Sequence, residues 1–411
     1  MLHCRFCKTP LEHTFVNLGS SPPCESFLKE EQLHQGETFY PLHVRVCAKC
    51  LLVQIPECLP ATEIFDDYAY FSSFSDSWLA HASDYCAAMT ERFELNQDSF
   101  AVELASNDGY LLRNFVKAGI PCLGIEPSGN VAEAAKKVGV ESLVQFFGIK
   151  TAGEVRKQRG PADLITANNV LAHVPDINDF VGGAAHLLAP TGVITYEFPH
   201  LSRLIEECQY DTIYHEHFSY LSLLTVQTIA ASHGLRIFDV QELPSHGGSL
   251  RVFLCHEAAS HERESRVDEL LTTENKEGLH HIDGYSGFQP RVEASKRSTL
   301  KFLIEARDRG EKVVAYGAPG KGNTLLNYCG IRRDLIEFAV DRNPYKHGRY
   351  TPGTHIPIRP VEALKEAKPD WVMILPWNLQ REITAQLSPM MAQGTRFVVP
   401  IPIMTEVKPT S

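Results

Sequence analysis

The sequence has 411 residues, more than one hydrophobic core supports, so two or three domains are expected. Its 44% hydrophobic and 22% charged content is that of an ordinary globular protein, and a net charge of −11 without a long basic block argues against nucleic acid as the main partner. The sequence contains neither an apolar run of membrane-spanning length nor the apolar core of a signal peptide, so we expect a cytoplasmic protein without a membrane partner.

Two Cys-x-x-Cys pairs lie in the predicted N-terminal domain, residues 1–75: Cys4 with Cys7, and Cys47 with Cys50. Two such pairs present four thiolates to one tetrahedral ion, a ligand set that Zn²⁺ prefers in closed, structural sites. The pattern therefore predicts structural zinc, with coincidental free cysteines as the alternative. A redox role is disfavoured because neither pair opens a helix after a buried strand.

Aromatic rings and hydroxyl groups alternate in the stretch YAYFSSFSDSW, which ends this domain and begins the next. One interpretation is an aromatic patch that docks one domain on another. The other is a substrate-facing arm, because phenol and hydroxyl donors between rings suit a polar, ring-shaped ligand. The residues concerned are Tyr68, Tyr70, Phe71, Phe74 and Trp78.

Strand-like and helix-like runs alternate over residues 76–258, which predicts a parallel sheet with right-handed crossovers. The turn after the first strand, ASNDG, has one glycine, so it suits S-adenosylmethionine, a nucleoside without phosphates, better than a pyrophosphate. Glu126 ends the second strand, where an acid can bind ribose hydroxyls. A purely structural α/β domain is the alternative. The candidate cofactor-binding residues are Glu103, Ala105, Ser106, Asn107, Gly109, Glu126, Pro127, Asn168 and Asn169.

The segment Tyr214–His217, with the sequence YHEH, concentrates a phenol, two imidazoles and a carboxylate, the groups that move protons at neutral pH. It follows the strand-like run GVITYEF, and α/β proteins keep their chemistry beyond strand ends. A solvated loop is the alternative. His173 follows an earlier strand and is either a site residue or a helix-terminal histidine bonded to backbone. His246 and Gly247 mark a hairpin or a close ligand approach.

Residues 259–411 begin with helical segments and then repeat the order strand, glycine-rich loop, helix. The loop AYGAPGKGNT offers backbone amides, a helix N-terminus and one lysine, which predicts phosphate binding, although it does not match the ATPase pattern GxxxxGK[ST]. Trp377, beyond a later strand, either stacks on a base or belongs to the core. The candidate substrate-binding residues are His246, Gly247, Gly317, Lys321, Gly322, Asn323, Asp341, Trp377 and Asn378.

The two cysteine pairs are followed in order by YAYFSSFSDSW, VELASNDGYLL, NNVLAHV, YHEHFSY, SHGGSLRV and AYGAPGKGNT. In these motifs and their order the chain resembles the sugar C-methyltransferases of deoxysugar biosynthesis over nearly its whole length. The resemblance implies an α/β protein of three parts: a small zinc-binding domain, a central Rossmann-like methyltransferase domain that binds S-adenosylmethionine, and a C-terminal Rossmann-like domain that binds a nucleotide sugar. The implied reaction methylates the carbon beside the keto group, C-3, of an NDP-4-keto-deoxysugar, usually dTDP-linked.

The same resemblance implies residue roles. His217 corresponds to the base that removes the hydrogen next to the ketone, and Glu216 to the acid that orients it. The other matched active-site groups are Tyr214, His173 and either Tyr70 or Tyr68. A scaffold protein that keeps the folds without catalysis, and a zinc-ribbon RNA methyltransferase, are the alternatives. We expect a monomer or a small homo-oligomer, and the residues do not distinguish dTDP from GDP.

Overall fold

The structure, a computed structural model, describes residues 2–60 and 72–408, apart from the side chain of Phe74. Three residues of the predicted aromatic arm therefore lie outside the described residues: Tyr68, Tyr70 and Phe71. No helix in the described part of the chain is long and apolar enough to cross a bilayer.

Most strands are short and rich in Val, Ile and other residues that fit a pleated, half-buried surface. In chain order the strands are β1 (His13–Ser21), β2 (Tyr40–Val46), β3 (Val53–Gln54), β4 (Ala101–Leu104), β5 (Cys122–Ile125), β6 (Ser142–Leu143), β7 (Ala162–Asn168), β8 (Leu188–Pro199), β9 (Ser219–Tyr220), β10 (Leu235–Leu243), β11 (Ser249–His256), β12 (Val313–Tyr316), β13 (Ala339–Asp341), β14 (Ile358–Pro360), β15 (Trp371–Ile374), β16 (Arg396–Val399) and β17 (Thr405–Val407).

Several helices begin at a side chain that accepts hydrogen bonds from the first free N–H groups. Ser75 caps α1, Asp176 caps α5 and Ser222 caps α7 in this way. The α-helices are α1 (Asp76–Arg92), α2 (Leu112–Lys117), α3 (Gly129–Lys137), α4 (Ile149–Arg159), α5 (Ile177–Leu187), α6 (Leu201–Glu206), α7 (Leu223–Ser232), α8 (Ser265–Lys276), α9 (Phe288–Asp308), α10 (Gly320–Cys329), α11 (Ala363–Ala367), α12 (Gln380–Gln386) and α13 (Ser388–Ala392).

The chain divides into two compact units, and each is built from separate stretches of sequence. The first unit comprises residues 1–11, 47–200 and 218–281, and the second comprises residues 12–46, 201–217 and 282–411. Both therefore contain parts of the N-terminal region and of the middle of the chain. The predicted domain boundaries at 75 and 258 stay a prediction.

The described residues of the first unit form a seven-stranded sheet in the order β10-β11-β8-β7-β4-β5-β6. The five strands from β8 to β6 are parallel, while β10 and β11 run antiparallel at one side. The predicted alternation of strand and helix is thus confirmed. β4 is the middle one of the five parallel strands. Its side chains alternate between two cores, with Val102 and Leu104 in one and Ala101 in the other. The carboxyl ends of the parallel strands share one edge of this sheet, where a site is expected.

The second unit contains, among its described residues, a six-stranded sheet in the order β14-β13-β12-β15-β16-β17, parallel except for β17. Its apolar core includes Val314, Val340 and Val372 from the three central strands. The antiparallel pair β1 and β2 also belongs to this unit. The predicted second nucleotide-type fold is therefore present, with its glycine-rich loop at the carboxyl end of β12.

Candidate active site

Four cysteine thiols meet in the first unit, as the sequence predicts. The Sγ atoms of Cys4, Cys7, Cys47 and Cys50 all lie within 4.8 Å of one another, and three of the Sγ–Sγ distances are 3.5 Å. Zn–S bonds of about 2.3 Å in a tetrahedron place the sulfurs about 3.8 Å apart, so the four thiols fit Zn²⁺. With four sulfurs filling the shell, the site is closed and its metal structural.

The predicted cofactor loop runs from β4 to α2 and is held by Glu126. Backbone N–H groups of Asn107 and Ser128 donate to the two Glu126 carboxylate oxygens, at 2.8 and 2.9 Å. The loop contains non-glycine residues with positive φ, Ala105 at 53° and Asn107 at 50°. Such backbone strain is stored at functional sites. Both oxygens of Glu126 already accept backbone hydrogen bonds, so this residue helps to fix the shape of the loop.

Several buried polar atoms around this loop have no hydrogen-bond partner among the described residues. They include Glu103 Oε2, Ser106 Oγ, Asp108 Oδ1, Asn168 Nδ2 and Asn169 Oδ1. Burial, followed by the neighbouring carboxylates, raises the pKa of Glu103. Buried polar groups are normally paired, so this edge of the sheet fits a polar ligand. The loop sequence ASNDGY brings one carboxylate and one side-chain amide without Lys or Arg, which suits the hydroxyls and positive charge of S-adenosylmethionine.

Glu197, near the C-terminal end of β8, lies at the centre of a buried hydrogen-bond network that our sequence interpretation missed. Its carboxylate accepts hydrogen bonds from His81 at 3.0 Å, from Arg251 at 2.7 Å and from Ser245 at 3.2 Å. Burial opposes its negative charge, but His81 and Arg251 outweigh that effect and hold the pKa of Glu197 below its ordinary value. The available signal was an acid inside an apolar strand, GVITYEF, because buried charges are paired or functional.

The predicted residues His246 and Asn169 come together beside this network. The Asn169 side-chain amide lies 3.2 Å from His246 Nε2, and the Trp78 ring contacts the His246 ring edge-on at 5.4 Å. Trp78 also stacks on His81. Gly247 follows in the same turn, and His173 ends the single helical turn Leu171–His173 after β7. These candidate residues therefore occupy the cofactor edge of the first unit.

His217 lies in the second unit and is buried. Its Nδ1 is 2.9 Å from the carbonyl oxygen of Thr212, and its ring packs on that of Tyr214 at a centroid distance of 4.0 Å. A carbonyl only accepts, so Nδ1 carries the proton and donates it. The neutral imidazole then has its lone pair on Nε2, which is the arrangement of a general base.

The described partner of His217 Nδ1 is the Thr212 carbonyl, and the predicted role of Glu216 in orienting His217 stays a prediction. Glu216 accepts a hydrogen bond from the Cys24 thiol at 3.8 Å. Burial and then the charge of Glu25 raise the pKa of Glu216 to about 7, so the acid form is well populated at neutral pH. His215 bonds through Nε2 to the Tyr40 carbonyl at 3.2 Å, a structural contact.

The glycine-rich loop of the second unit is held by Asp341 as the cofactor loop is held by Glu126. Backbone N–H groups of Ala318 and Asn343 donate to the two Asp341 oxygens at 2.7 and 2.8 Å. Gly317 has φ 84°, and an added Cβ would lie 2.6 Å from Pro376 Cδ. Gly322 is similarly crowded, by Leu375 at 3.0 Å.

Lys321, in the first turn of α10, contacts two other predicted substrate-binding residues. Its Nζ donates to Asn378 Oδ1 at 2.6 Å and lies 4.6 Å from the centre of the Trp377 ring. Asn323, two residues further along α10, donates to the Cys24 carbonyl at 2.6 Å. The sheet edge of the second unit therefore combines a helix N-terminus, a lysine and an aromatic ring, the components of a nucleotide-binding loop.

The first unit combines a parallel sheet, a strained loop held by Glu126 and a four-cysteine cluster. These features define an S-adenosylmethionine-dependent methyltransferase with a zinc-binding part. Residues 4–65 match a family model described as a putative zinc binding domain, residues 78–240 a methyltransferase domain, and residues 244–402 a C-methyltransferase C-terminal domain. The chain is 35% identical to the C-methyltransferase NovU of Streptomyces niveus, over 97% of this chain and 95% of the relative. The chain belongs to this family of S-adenosylmethionine-dependent C-methyltransferases with an N-terminal zinc-binding domain.

Two other similarities cover smaller shares of the chain. A ubiquinone biosynthesis O-methyltransferase of Rhodopseudomonas palustris strain BisA53 is 29% identical over 93 residues, which are 23% of this chain and 37% of that protein. Among solved structures, magnesium protoporphyrin IX methyltransferase (ChlM) from Synechocystis PCC 6803 with bound SAM is 13% identical, with a TM-score of 0.37 over 49% of this chain and 100% of that one.

Proposed function

We propose that this C-methyltransferase acts on the carbon next to the keto group, C-3, of an NDP-4-keto-deoxysugar, with dTDP as the nucleotide, and yields a branched-chain sugar. The hydrogen beside a ketone is only weakly acidic, so the reaction requires a positioned base and a donor for the enolate oxygen. The observation that carries the proposal is the His217 imidazole, whose Nδ1–H is held by the Thr212 carbonyl at 2.9 Å. That bond selects the tautomer of the neutral imidazole whose basic lone pair is on Nε2.

The first unit is proposed to hold the methyl donor. Glu103, Ser106, Asn168 and Asn169 offer buried polar atoms that lack partners among the described residues, and a nucleoside with ribose hydroxyls can satisfy them. When bound, S-adenosylmethionine supplies an electrophilic methyl group. Ala105, Gly109 and Pro127 complete the proposed surface through their backbone positions in the two loops.

The second unit is proposed to hold the nucleotide. The Lys321 ammonium and the N-terminus of α10 favour phosphate, and the Trp377 ring offers a stacking surface for a base. Gly317 and Gly322 allow close approach of the backbone. An acidic chain with a local cluster of this kind suits a small anionic ligand rather than a polynucleotide.

Further groups are proposed to stabilise the enolate or to position the sugar. Tyr214, which packs on His217, and Glu216, whose acid form persists near pH 7, are donors in the same segment. His173 and His246 are proposed from the first unit. Tyr70, or Tyr68, stays a candidate; Ser72, the first described residue after them, donates its backbone N–H to Asn107 of the cofactor loop at 3.0 Å.

The proposal is tested with His217→Asn. In D₂O the wild-type protein should incorporate deuterium beside the keto group of a dTDP-4-keto-deoxysugar, and the variant should slow this exchange and methyl transfer by about 10²–10⁴-fold, the usual contribution of a general base. Binding of S-adenosylmethionine, measured by calorimetry, should be unchanged. The matched control is His215→Asn, which removes a structural histidine of the same segment and should keep turnover within a few-fold.

Three outcomes would argue against the proposal. Exchange at the wild-type rate in the His217 variant would remove this residue from the mechanism. A wild-type protein that binds the nucleotide sugar but exchanges no proton would be a scaffold. RNA binding that weakens steeply with salt would favour an RNA methyltransferase.

A further inference from the structure

Asp211 is the most deeply buried acid near the YHEH segment, with a relative exposure of 0%. It sits in the helical turn Tyr210–Thr212, where Oδ2 accepts the indole N–H of Trp377 at 2.7 Å. Oδ1 has no full hydrogen bond among the described residues, although the backbone N–H groups of Asp211 and Thr212 stabilise the carboxylate. Buried carboxylates are retained only when something compensates their desolvation, so the neighbours of Asp211 indicate what it does.

The compensating charge belongs to the glycine-rich loop. Lys321 lies over the face of the same Trp377 ring whose N–H bonds to Asp211. Burial raises the pKa of Asp211 to about 6, and Lys321 opposes that rise. Burial likewise lowers the pKa of Lys321, and Asp211 opposes that fall. The two groups are therefore electrostatically linked, with Trp377 in contact with both.

The same set of contacts also reaches His217, the proposed base. Thr212 follows Asp211 directly, and its carbonyl holds Nδ1 of His217. The next carbonyl, that of Ile213, accepts from the Thr324 hydroxyl on α10 at 3.0 Å. The helix that carries Lys321 thus contacts the 211–213 backbone on one side, and Trp377 holds Asp211 on the other.

We infer that Asp211 is a positioning residue that couples the glycine-rich loop to His217 by holding the Thr212 carbonyl in place. The inference rests on the proposed function, because it takes His217 as the base and Lys321 as the anion-binding group. The Asp211 carboxylate links Trp377 and Lys321 to the peptide that orients the imidazole.

The negative charge of Asp211 predicts the direction in which diphosphate affinity changes when the residue is substituted. A negative group beside Lys321 opposes binding of an anionic ligand there. Asp211→Asn removes that charge but keeps an oxygen that can accept from Trp377. The variant should therefore bind a diphosphate as well as the wild type or better, while the base loses its alignment. A purely structural role predicts that affinity and turnover fall together.

The experiment measures both quantities on the full-length protein. Asp211→Asn should lower kcat for methyl transfer by about 10- to 100-fold, as misplacement of a catalytic group does. The dissociation constant of thymidine diphosphate, measured by calorimetry, should stay equal or decrease. Thr324→Val, which removes the hydroxyl bond to the Ile213 carbonyl, should lower kcat in the same direction, and Thr324→Ser should restore it.

Glu311→Gln is the matched control. Glu311 accepts from the indole of Trp371 at 2.9 Å, and Arg396 lies 3.8 Å from the centre of that ring, so the second unit repeats the same contacts away from the YHEH segment. This variant should leave kcat unchanged. Wild-type kcat in Asp211→Asn, or weaker diphosphate binding in proportion to lost turnover, would overturn the inference. The proposed function fails separately, by proton exchange in His217→Asn.

Discussion

The cofactor loop after β4 and the glycine-rich loop after β12 occupy the same place in two parallel sheets and differ in their chemistry. In each, the first residue after the strand donates its N–H to the neighbouring strand: Ala105 to Ile125 at 2.7 Å, and Gly317 to Val340 at 2.6 Å. In each, an acid after that strand, or at its end, then accepts two backbone N–H groups: Glu126 in one and Asp341 in the other.

The differences lie in backbone and charge. The cofactor loop accepts strain at Ala105, φ 53°, and brings three acids, Glu103, Asp108 and Glu126, to its edge. The other loop has Gly317 at the equivalent position, φ 84°, and a lysine at the helix start. Two sheets of the same type therefore present loops of opposite charge at their edges. The charge is a property of the loop side chains and not of the fold.

The largest effect is expected from exchanging the residues that begin the loops. Gly317→Ala places Cβ 2.6 Å from Pro376 Cδ at φ 84°, so steric overlap and backbone strain should destabilise the second unit by roughly 2–4 kcal/mol. Gly330→Ala, φ 70° with no atom within 4 Å of the added Cβ, should cost only the strain, about 1–2 kcal/mol. Ala105→Gly should be neutral or stabilising. Chemical denaturation measures all three, and equal losses at 317 and 330 would contradict the predicted overlap.

The next effect separates the two ligands. Lys321→Met should weaken thymidine diphosphate binding by roughly 10–100-fold, the value of a charged hydrogen bond, and leave S-adenosylmethionine binding unchanged. Glu126→Gln should weaken binding of S-adenosylmethionine alone, because a glutamine side chain has one acceptor oxygen and cannot accept from the N–H groups of both Asn107 and Ser128. Lys312→Met, at the opposite end of β12, is the control. Calorimetry with both ligands checks these expectations, and loss of both affinities in either loop variant would refute separate sites.

The smallest effect is on stability against pH in the second unit. The pKa of Glu216 lies at about 7 in the folded protein against an ordinary 4.5, so the folded state favours the protonated form. Stability from this group is therefore present below pH 4.5 and is lost as pH rises towards 7. The melting temperature of Glu216→Gln minus that of the wild type should rise over this window and be level above it. A difference independent of pH would show that Glu216 ionises normally.

Local residue patterns were sufficient for much of this molecule. The two cysteine pairs predicted the metal cluster because each tight turn brings its own two thiols close together. The strand–loop–helix order predicted both sheets, and the acids Glu126 and Asp341 were placed correctly at strand ends. Each of these predictions depends on residues near one another in sequence.

The missed features join residues distant in sequence. His81, Glu197 and Arg251 form one ion-paired network from α1, β8 and β11. The Thr212 carbonyl, which accepts from His217 Nδ1, was not foreseen, while the role of Glu216 that the family resemblance implies stays a prediction. A backbone carbonyl has no sequence signature, so its role becomes visible only when the chain is folded.

The sequence by itself determined the four-cysteine cluster, the two parallel sheets and the loops that follow their strands, because turn chemistry and hydrophobic period act over short distances. Only the tertiary structure decided that residues 12–46 and 201–217 belong with the C-terminal sheet, and that Asp211 contacts Trp377. These depend on which apolar faces are buried together and which buried charges find partners, and both are properties of the whole fold.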